Sequence, residues 1–225
     1  MALRVYYGGT FDPVHAGHLS VAREVRDALD AQVFLVPAAD PPHKDATHAD
    51  ADARARMLDL AIAGEPGLKV DRRELHRDGP SYTVDTLREL RAELGPQVPL
   101  VWMIGGDSLL QLHTWHRWRE LFALAHVLAV ARPGSHLEPA AVAALSPEVE
   151  AEIGPRRCAP TSLNSTPAGG LAVFPLDHER PESSTELRRR MVMGEAWETG
   201  VAPAVAEYIR RRGLYGVRGV TPASL

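Results

Sequence analysis

Apolar residues fall in short runs, separated by stretches in which they recur every three to four positions. The runs Leu3–Tyr7, Gln32–Val36, Leu68–Asp71, Leu100–Ile104, His126–Ala131 and Leu171–Pro175 predict strands. Helical spacing marks His15–Leu29, Ala51–Ala63, Thr83–Leu94, a region around Trp115–Ala125, Ser184–Met193 and Pro203–Arg212. Leu19, Ala22, Val25, Ala28 and Leu29 give the first helix an apolar stripe. Gly95-Pro96 stops the third. Strands alternating with helices predict an α/β fold with a parallel sheet of five to six strands and helices at the C-terminal end. Residues Pro133–Gly170 are rich in Ala, Pro, Gly and Ser and read as a surface excursion, with a short helix near Pro139–Leu145. There is no internal repeat.

Composition narrows the class. The chain has 225 residues, 45% of them hydrophobic and 24% charged, enough for a full core in a single domain. Within it, residues 1–183 form the sheet core and 184–216 a helical C-terminal part. A net charge of -4 argues against a general nucleic-acid binder. Only two lysines occur, Lys44 and Lys69. One cysteine, Cys158, excludes an intrachain disulfide and a cysteine-cluster zinc site, and its Pro/Arg-rich surroundings suit a surface thiol. No run reaches the ~20 apolar residues of a membrane span, and Met1–Gly8 lacks a signal-peptide core, so the cytoplasm is expected.

The chemistry concentrates after the predicted strands, where an open parallel sheet binds ligands. Gly8-Gly9-Thr10-Phe11-Asp12-Pro13-Val14-His15-Ala16-Gly17-His18 is a strand end, a glycine turn and a helix start. Glycines let an anion approach the backbone, and the helix N-terminus offers N–H groups and a positive dipole end. His15 and His18, three residues apart, share one helix face and can address one phosphoryl group. This is neither a Walker loop nor Gly-x-Gly-x-x-Gly. In Pro37–Lys44 the prolines restrict a loop that would hold His43 and Lys44 over the sheet edge, a cation for triphosphate oxygens. In Gly79–Leu87, Ser81 or Thr83 would cap the next helix, whose N–H groups suit a carboxylate. In Ile104-Gly105-Gly106-Asp107, small residues plus one acid suit a nucleotide ribose. Trp115 could stack on an aromatic ring; Trp118 lies three residues on, and one of the two could instead be core. Ser183-Ser184-Thr185-Glu186-Leu187-Arg188 opens a helix with hydroxyls and places an arginine one turn in, able to fork onto a phosphate.

Together these motifs, with the ending Val205–Tyr215, closely resemble the bacterial nicotinate mononucleotide adenylyltransferases, members of a nucleotidyltransferase superfamily, from Gly8 to about Gly216. The resemblance implies a Rossmann-like doubly wound sheet and transfer of AMP from ATP to nicotinate mononucleotide. It implies catalytic roles for His15, His18 and Arg188. It implies ATP contacts at Gly8, Gly9, Thr10, Phe11, His15, His18, Lys44, Gly105, Asp107, Ser184, Thr185 and Arg188. Nicotinate mononucleotide would meet Lys44, Tyr82, Thr83 and Trp115. Mg²⁺ is expected to ride on the triphosphate rather than in a protein cage. One departure stands out: Glu182 occupies a position where the family usually has an apolar residue.

Phosphopantetheine- or cytidylyl-transferring relatives share only the first and last motifs, and the middle of this chain disfavours them; two further readings of the same residues make different demands. Nicotinamide mononucleotide as acceptor would remove the need to recognise a carboxylate. A non-catalytic nucleotide sensor would be expected to lack a phosphate ligand, yet His15, His18 and Arg188 are all present.

Overall fold

The computed structural model describes residues 3–39, 47–77, 79–178 and 182–217. Six strands form one parallel sheet: β1 (Leu3–Gly9), β2 (Ala31–Pro37), β3 (Leu68–Val70), β4 (Leu100–Gly105), β5 (His126–Ala131) and β6 (Leu171–Pro175). Their order is β3-β2-β1-β4-β5-β6. Tyr7 therefore pairs with Leu35 on one side and Met103 on the other. The chain first winds away from β1 toward β3, then returns to its other side at β4. That reversal opens a crevice beyond the carboxyl ends of β1 and β4.

The helices are α1 (Ala16–Leu29), α2 (Ala51–Ala61), α3 (Thr83–Leu94), α4 (Gly106–Leu110), α5 (Leu121–Leu124), α6 (Pro139–Leu145), α7 (Pro147–Ile153), α8 (Ser184–Met193) and α9 (Pro203–Arg212). Strands covered on both faces read as continuous apolar runs because alternate residues enter different cores. Val5, Val33, Met103 and Leu128 pack with α1, α2, α8 and α9. Tyr6, Trp102, Ile104 and Val127 pack with α3 and with α4 to α7. At ~1.5–3 kcal/mol per fully buried large side chain, Val84, Leu87 and Leu90 suffice to fix α3.

Two sequence expectations need correction. Residues Pro133–Gly170 are not merely a surface excursion. Leu137, Val142, Val149, Ile153 and Leu163 are all buried, and Cys158 N–H donates to the Leu171 carbonyl at the edge of β6. Helices as short as α6 and α7 are marginal alone, so this burial holds them, and it leaves no long periodic signal. The region around Trp115–Ala125 is not one helix. Arg117 adopts a left-handed φ of 53°, which splits it into 3₁₀ turns and the four-residue α5.

Candidate active site

β1 delivers Gly8 and Gly9 to the crevice, and the chain turns through Phe11 at φ 50°. Side-chain room decides the glycines here. A Cβ on Gly8 would run into the Trp102 ring, and one on Gly9 would come within 2.8 Å of the Phe11 ring. Phe11 itself is buried, edge-on to Tyr7 and His18, with ring centroids 5.5 and 5.0 Å apart. Only its backbone can face a ligand; its ring supports His18 from beneath.

His15 is the N-cap of α1. Its Nδ1 accepts from His18 N–H, and His18 Nδ1 accepts from His15 N–H, both at 3.4 Å. Neutral rings bound this way carry their proton on Nε2, so each offers one N–H donor. The two rings stack with centroids 3.7 Å apart. Burial, and after it the charge of Arg132, push the His15 pKa down to about 4. His15 is therefore a neutral donor at neutral pH. The Thr10 hydroxyl oxygen is buried in the same turn with no hydrogen-bond partner among the described residues.

The linkage sign follows. The folded His15 pKa lies near 4 and the ordinary value at 6.5. The unfolded chain thus binds the extra proton first as the medium acidifies. His15 contributes stability, about 3 kcal/mol, that is fully present above pH 6.5 and lost as pH falls through about 4. His15→Asn, which keeps a capping oxygen, should flatten the fall in melting temperature across that window. Parallel melting curves for the two chains would contradict the assignment.

The far end of the sequence closes this loop. Ser184 at the start of α8 donates to the Pro13 carbonyl at 3.0 Å. Arg188 Nη1 donates to the Asp12 carbonyl at 2.6 Å, and its Nη2 lies 3.4 Å from Thr185 Oγ1. Ser183 takes the N-cap bond from Glu186 N–H, which leaves the Ser184 and Thr185 hydroxyls for other work. Thr185, Arg188 and Tyr215 line one cleft of about 590 Å³. The Glu182 carboxylate reaches the first turn of α1, 3.4 Å from where a Cβ on Gly17 would lie.

The other predicted residues fall around the same edge. Gly105 ends β4 with nothing within 4 Å of a Cβ built on it, whereas one on Gly106 would press Leu137 at 3.0 Å. Gly105 thus faces open space and Gly106 serves packing. Asp107 is exposed, with no ion pair among the described residues. Neither Ser81 nor Thr83 caps α3, contrary to expectation: its N-cap is Tyr82, and no side chain closes that helix start. Ser81 instead accepts from Ala39 N–H at 3.2 Å, and the buried Glu74, which holds Thr86 at 2.6 Å, is hydrogen-bonded to Ser81 as well. Tyr82 stacks on His116 with centroids 4.4 Å apart, and Trp115 is half-buried while Trp118 is core. His43 and Lys44 lie outside the described residues.

Four residues escaped the sequence reading. Arg54 is completely buried in α2 and donates to the carbonyls of Thr10, Ala39 and Ala49, which are contributed by three different segments. Nothing marks it in sequence except a cation on an apolar helix face. Asp12 sits inside the first motif with no role read for it. Its carboxylate is buried and accepts from His48 N–H, Ala49 N–H and the Tyr215 hydroxyl. Arg132 directly follows β5. It is exposed, with no ion pair among the described residues, and lines a cleft of about 400 Å³. Its position after a strand was the available signal. His116 adjoins Trp115 in sequence and was passed over for it.

A parallel sheet with this reversal and a histidine-capped helix start at its switch point suits a nucleotidyltransferase type of site. The family model described as Cytidylyltransferase-like matches residues 6–190. A protein of Stenotrophomonas maltophilia named "Probable nicotinate-nucleotide adenylyltransferase" is 49% identical over 99% of this chain and 100% of its own length. One of the same name from Chromobacterium violaceum is 48% identical over 93% of this chain and 96% of its own. The Plasmodium falciparum nicotinic acid mononucleotide adenylyltransferase complexed with NaAD superposes with a TM-score of 0.72 at 16% identity, covering 97% of this chain and 99% of that one, which supports the fold. The chain belongs to the nicotinate-nucleotide adenylyltransferase family.

Proposed function

We propose that this chain transfers the AMP moiety of ATP to nicotinate mononucleotide, yielding nicotinate adenine dinucleotide and pyrophosphate, a step of NAD synthesis. One observation carries the reading. The Asp12-Pro13 carbonyls are clasped by Arg188 and Ser184, so the first and last motifs form one anion-facing edge. Full-length relatives carrying the name of this activity support it.

The acceptor phosphate is ionised near neutral pH and needs no general base. An oxygen of that phosphate attacks the α-phosphorus in line, the bond to the β-phosphate oxygen breaks, and pyrophosphate leaves. Catalysis is positioning plus charge stabilisation. The Nε2–H donors of His15 and His18 hold the α-phosphate oxygens, while Ser184, Thr185 and Arg188 hold the departing pair. Gly105 and Asp107 take the adenosine side. Tyr82, Thr83 and Trp115 take the nicotinate ring, and the uncapped start of α3 takes its carboxylate. Residues 1–225 act as one domain, with small-molecule partners and a cytoplasmic setting. No helix among the described residues is long and apolar enough to cross a membrane.

Mg²⁺ is expected with ATP, where it neutralises phosphate charge. Among the described residues no group of three His, Cys, Asp or Glu could hold a metal ion. We infer that the metal rides on the triphosphate, with the protein holding the phosphates around it.

The reaction is tested by incubating the chain with ATP and nicotinate mononucleotide, then identifying the products by mass. Dinucleotide and pyrophosphate should appear in equal amounts. ATP made chiral with sulfur at the α-phosphorus should give inversion at that centre; retention would mean a covalent enzyme intermediate and would overturn the direct attack.

Gly105 offers a separate check on the adenosine side. Gly105→Ala has room and an ordinary backbone φ of -72°, so stability should change by less than about 0.5 kcal/mol. The KM for ATP should rise roughly tenfold, the effect of about 1.4 kcal/mol lost on binding. An unchanged KM would remove Gly105 from the site.

A further inference from the structure

We propose that Tyr215 is a positioning residue of the phosphate site: its phenol ties the Asp12 carboxylate to the turn after α9 and so fixes the Asp12 carbonyl on which Arg188 rests. The proposal rests on the adenylyl-transfer reading and adds a residue to it.

Tyr215 follows the Gly213 cap of α9 in a tight turn, at a φ of 57° that side chains rarely adopt. The turn brings a buried phenol inward, where its O–H donates to Asp12 Oδ1 at 2.8 Å across 203 positions of sequence. Asp12 is a junction. Its carboxylate also takes His48 N–H at 2.8 Å and Ala49 N–H at 3.2 Å, and its carbonyl takes Arg188 Nη1 at 2.6 Å. Four segments therefore meet at one residue, three positions before His15. The His48 imidazole stands 3.5 Å from the same carboxylate, on the side away from the phenol's oxygen.

Filling space would not require the hydroxyl. A buried phenol without a partner costs free energy, so a phenylalanine would serve packing better. Burial and the neighbouring Asp12 carboxylate both raise the Tyr215 phenol far above its ordinary range, so it stays a donor. With that donor gone, Oδ1 keeps, among the described residues, the longer bond to Ala49. Rotation of Asp12 would then shift the carbonyl on which Arg188 rests, moving the guanidinium relative to the histidines. Tyr215 also lines the cleft shared by Thr185 and Arg188, on the side where pyrophosphate departs in the proposed reaction.

Tyr215→Phe keeps the ring and deletes the donor. At a temperature where melting curves show it folded, we expect kcat about tenfold lower, a higher KM for ATP and an unchanged KM for nicotinate mononucleotide. Because Tyr215 acts through Asp12, the double variant with Asp12→Asn should lose no more than Asp12→Asn alone. Val149→Ala, buried in α7 on the opposite face of the sheet, is the destabilised control and should melt earlier with unchanged kinetics. ATP affinity by calorimetry reads Tyr215 without turnover, and should weaken about tenfold in Tyr215→Phe. Unchanged ATP affinity and kinetics, additive losses in the double variant, or an equal kinetic loss in Val149→Ala would each overturn the proposal. So would a Tyr215→Phe chain that does not fold, since the phenol would then hold the fold rather than the site. Wild-type turnover in the same assay reports separately on adenylyl transfer.

Discussion

His18→Ala should lower kcat by about 100- to 1000-fold, the cost of losing one preorganised donor at a developing charge. Three of its contacts place the ring for that role. It stacks on His15, meets Phe11 edge-on, and accepts His15 N–H at Nδ1. The last contact leaves the ring proton on Nε2, as a donor. Alanine also removes the acceptor for His15 N–H, so part of the loss could come from a loosened helix start. His18→Asn separates the two effects, because its side-chain oxygen can still accept that N–H. The asparagine chain should match the wild type in melting temperature and remain far below it in kcat. A loss under about tenfold for His18→Ala would show that no essential donor sits at that position.

Arg188→Lys should be nearly as damaging as Arg188→Ala, with kcat/KM for ATP down about 100-fold. The guanidinium already uses one arm on the Asp12 carbonyl and extends the other toward Thr185. A lysine ammonium is a point charge on a flexible stem and cannot hold the loop and a phosphate together. The reverse reaction reads this most cleanly, because pyrophosphate is then the substrate and its KM should rise sharply. Recovery by lysine to within a fewfold of wild type would reduce Arg188 to a simple charge.

Legibility in the sequence followed the kind of force involved. All six strands were visible: five are apolar runs with buried residues on both sheet faces, and the three-residue edge strand β3 was marked by Leu68 and Val70 on either side of the exposed Lys69. The helices α1, α2, α3, α8 and α9 were visible because each has ten or more residues with a core stripe. The short α6 was visible as the helix near Pro139–Leu145, whereas α4 and α7 depend on tertiary burial, which periodicity does not record. In the site, the residues proposed to face a ligand stood out because glycines, histidines and hydroxyls stand in unusual order at strand ends. The residues that hold that edge together were not. Arg54 and Asp12 bind backbone groups from distant segments, and their side chains resemble any other Arg or Asp until the chain is folded. The caps of α3 failed for a related reason: Ser81 is spent on Ala39 and Glu74, across the loop rather than along the helix. Glu182 was legible as a departure, and its carboxylate does lie by the first turn of α1.

The central claim is that this site joins AMP to the acid form of the pyridine mononucleotide. The open N–H groups at the start of α3 favour a carboxylate over an amide. Pyrophosphate release with ATP and Mg²⁺ should therefore be compared for nicotinate and nicotinamide mononucleotide at equal concentration. The account predicts kcat/KM at least about tenfold higher for the acid, the effect of roughly 1.4 kcal/mol of charge recognition. Equal rates with both acceptors would contradict the substrate assignment while leaving the phosphate chemistry in place.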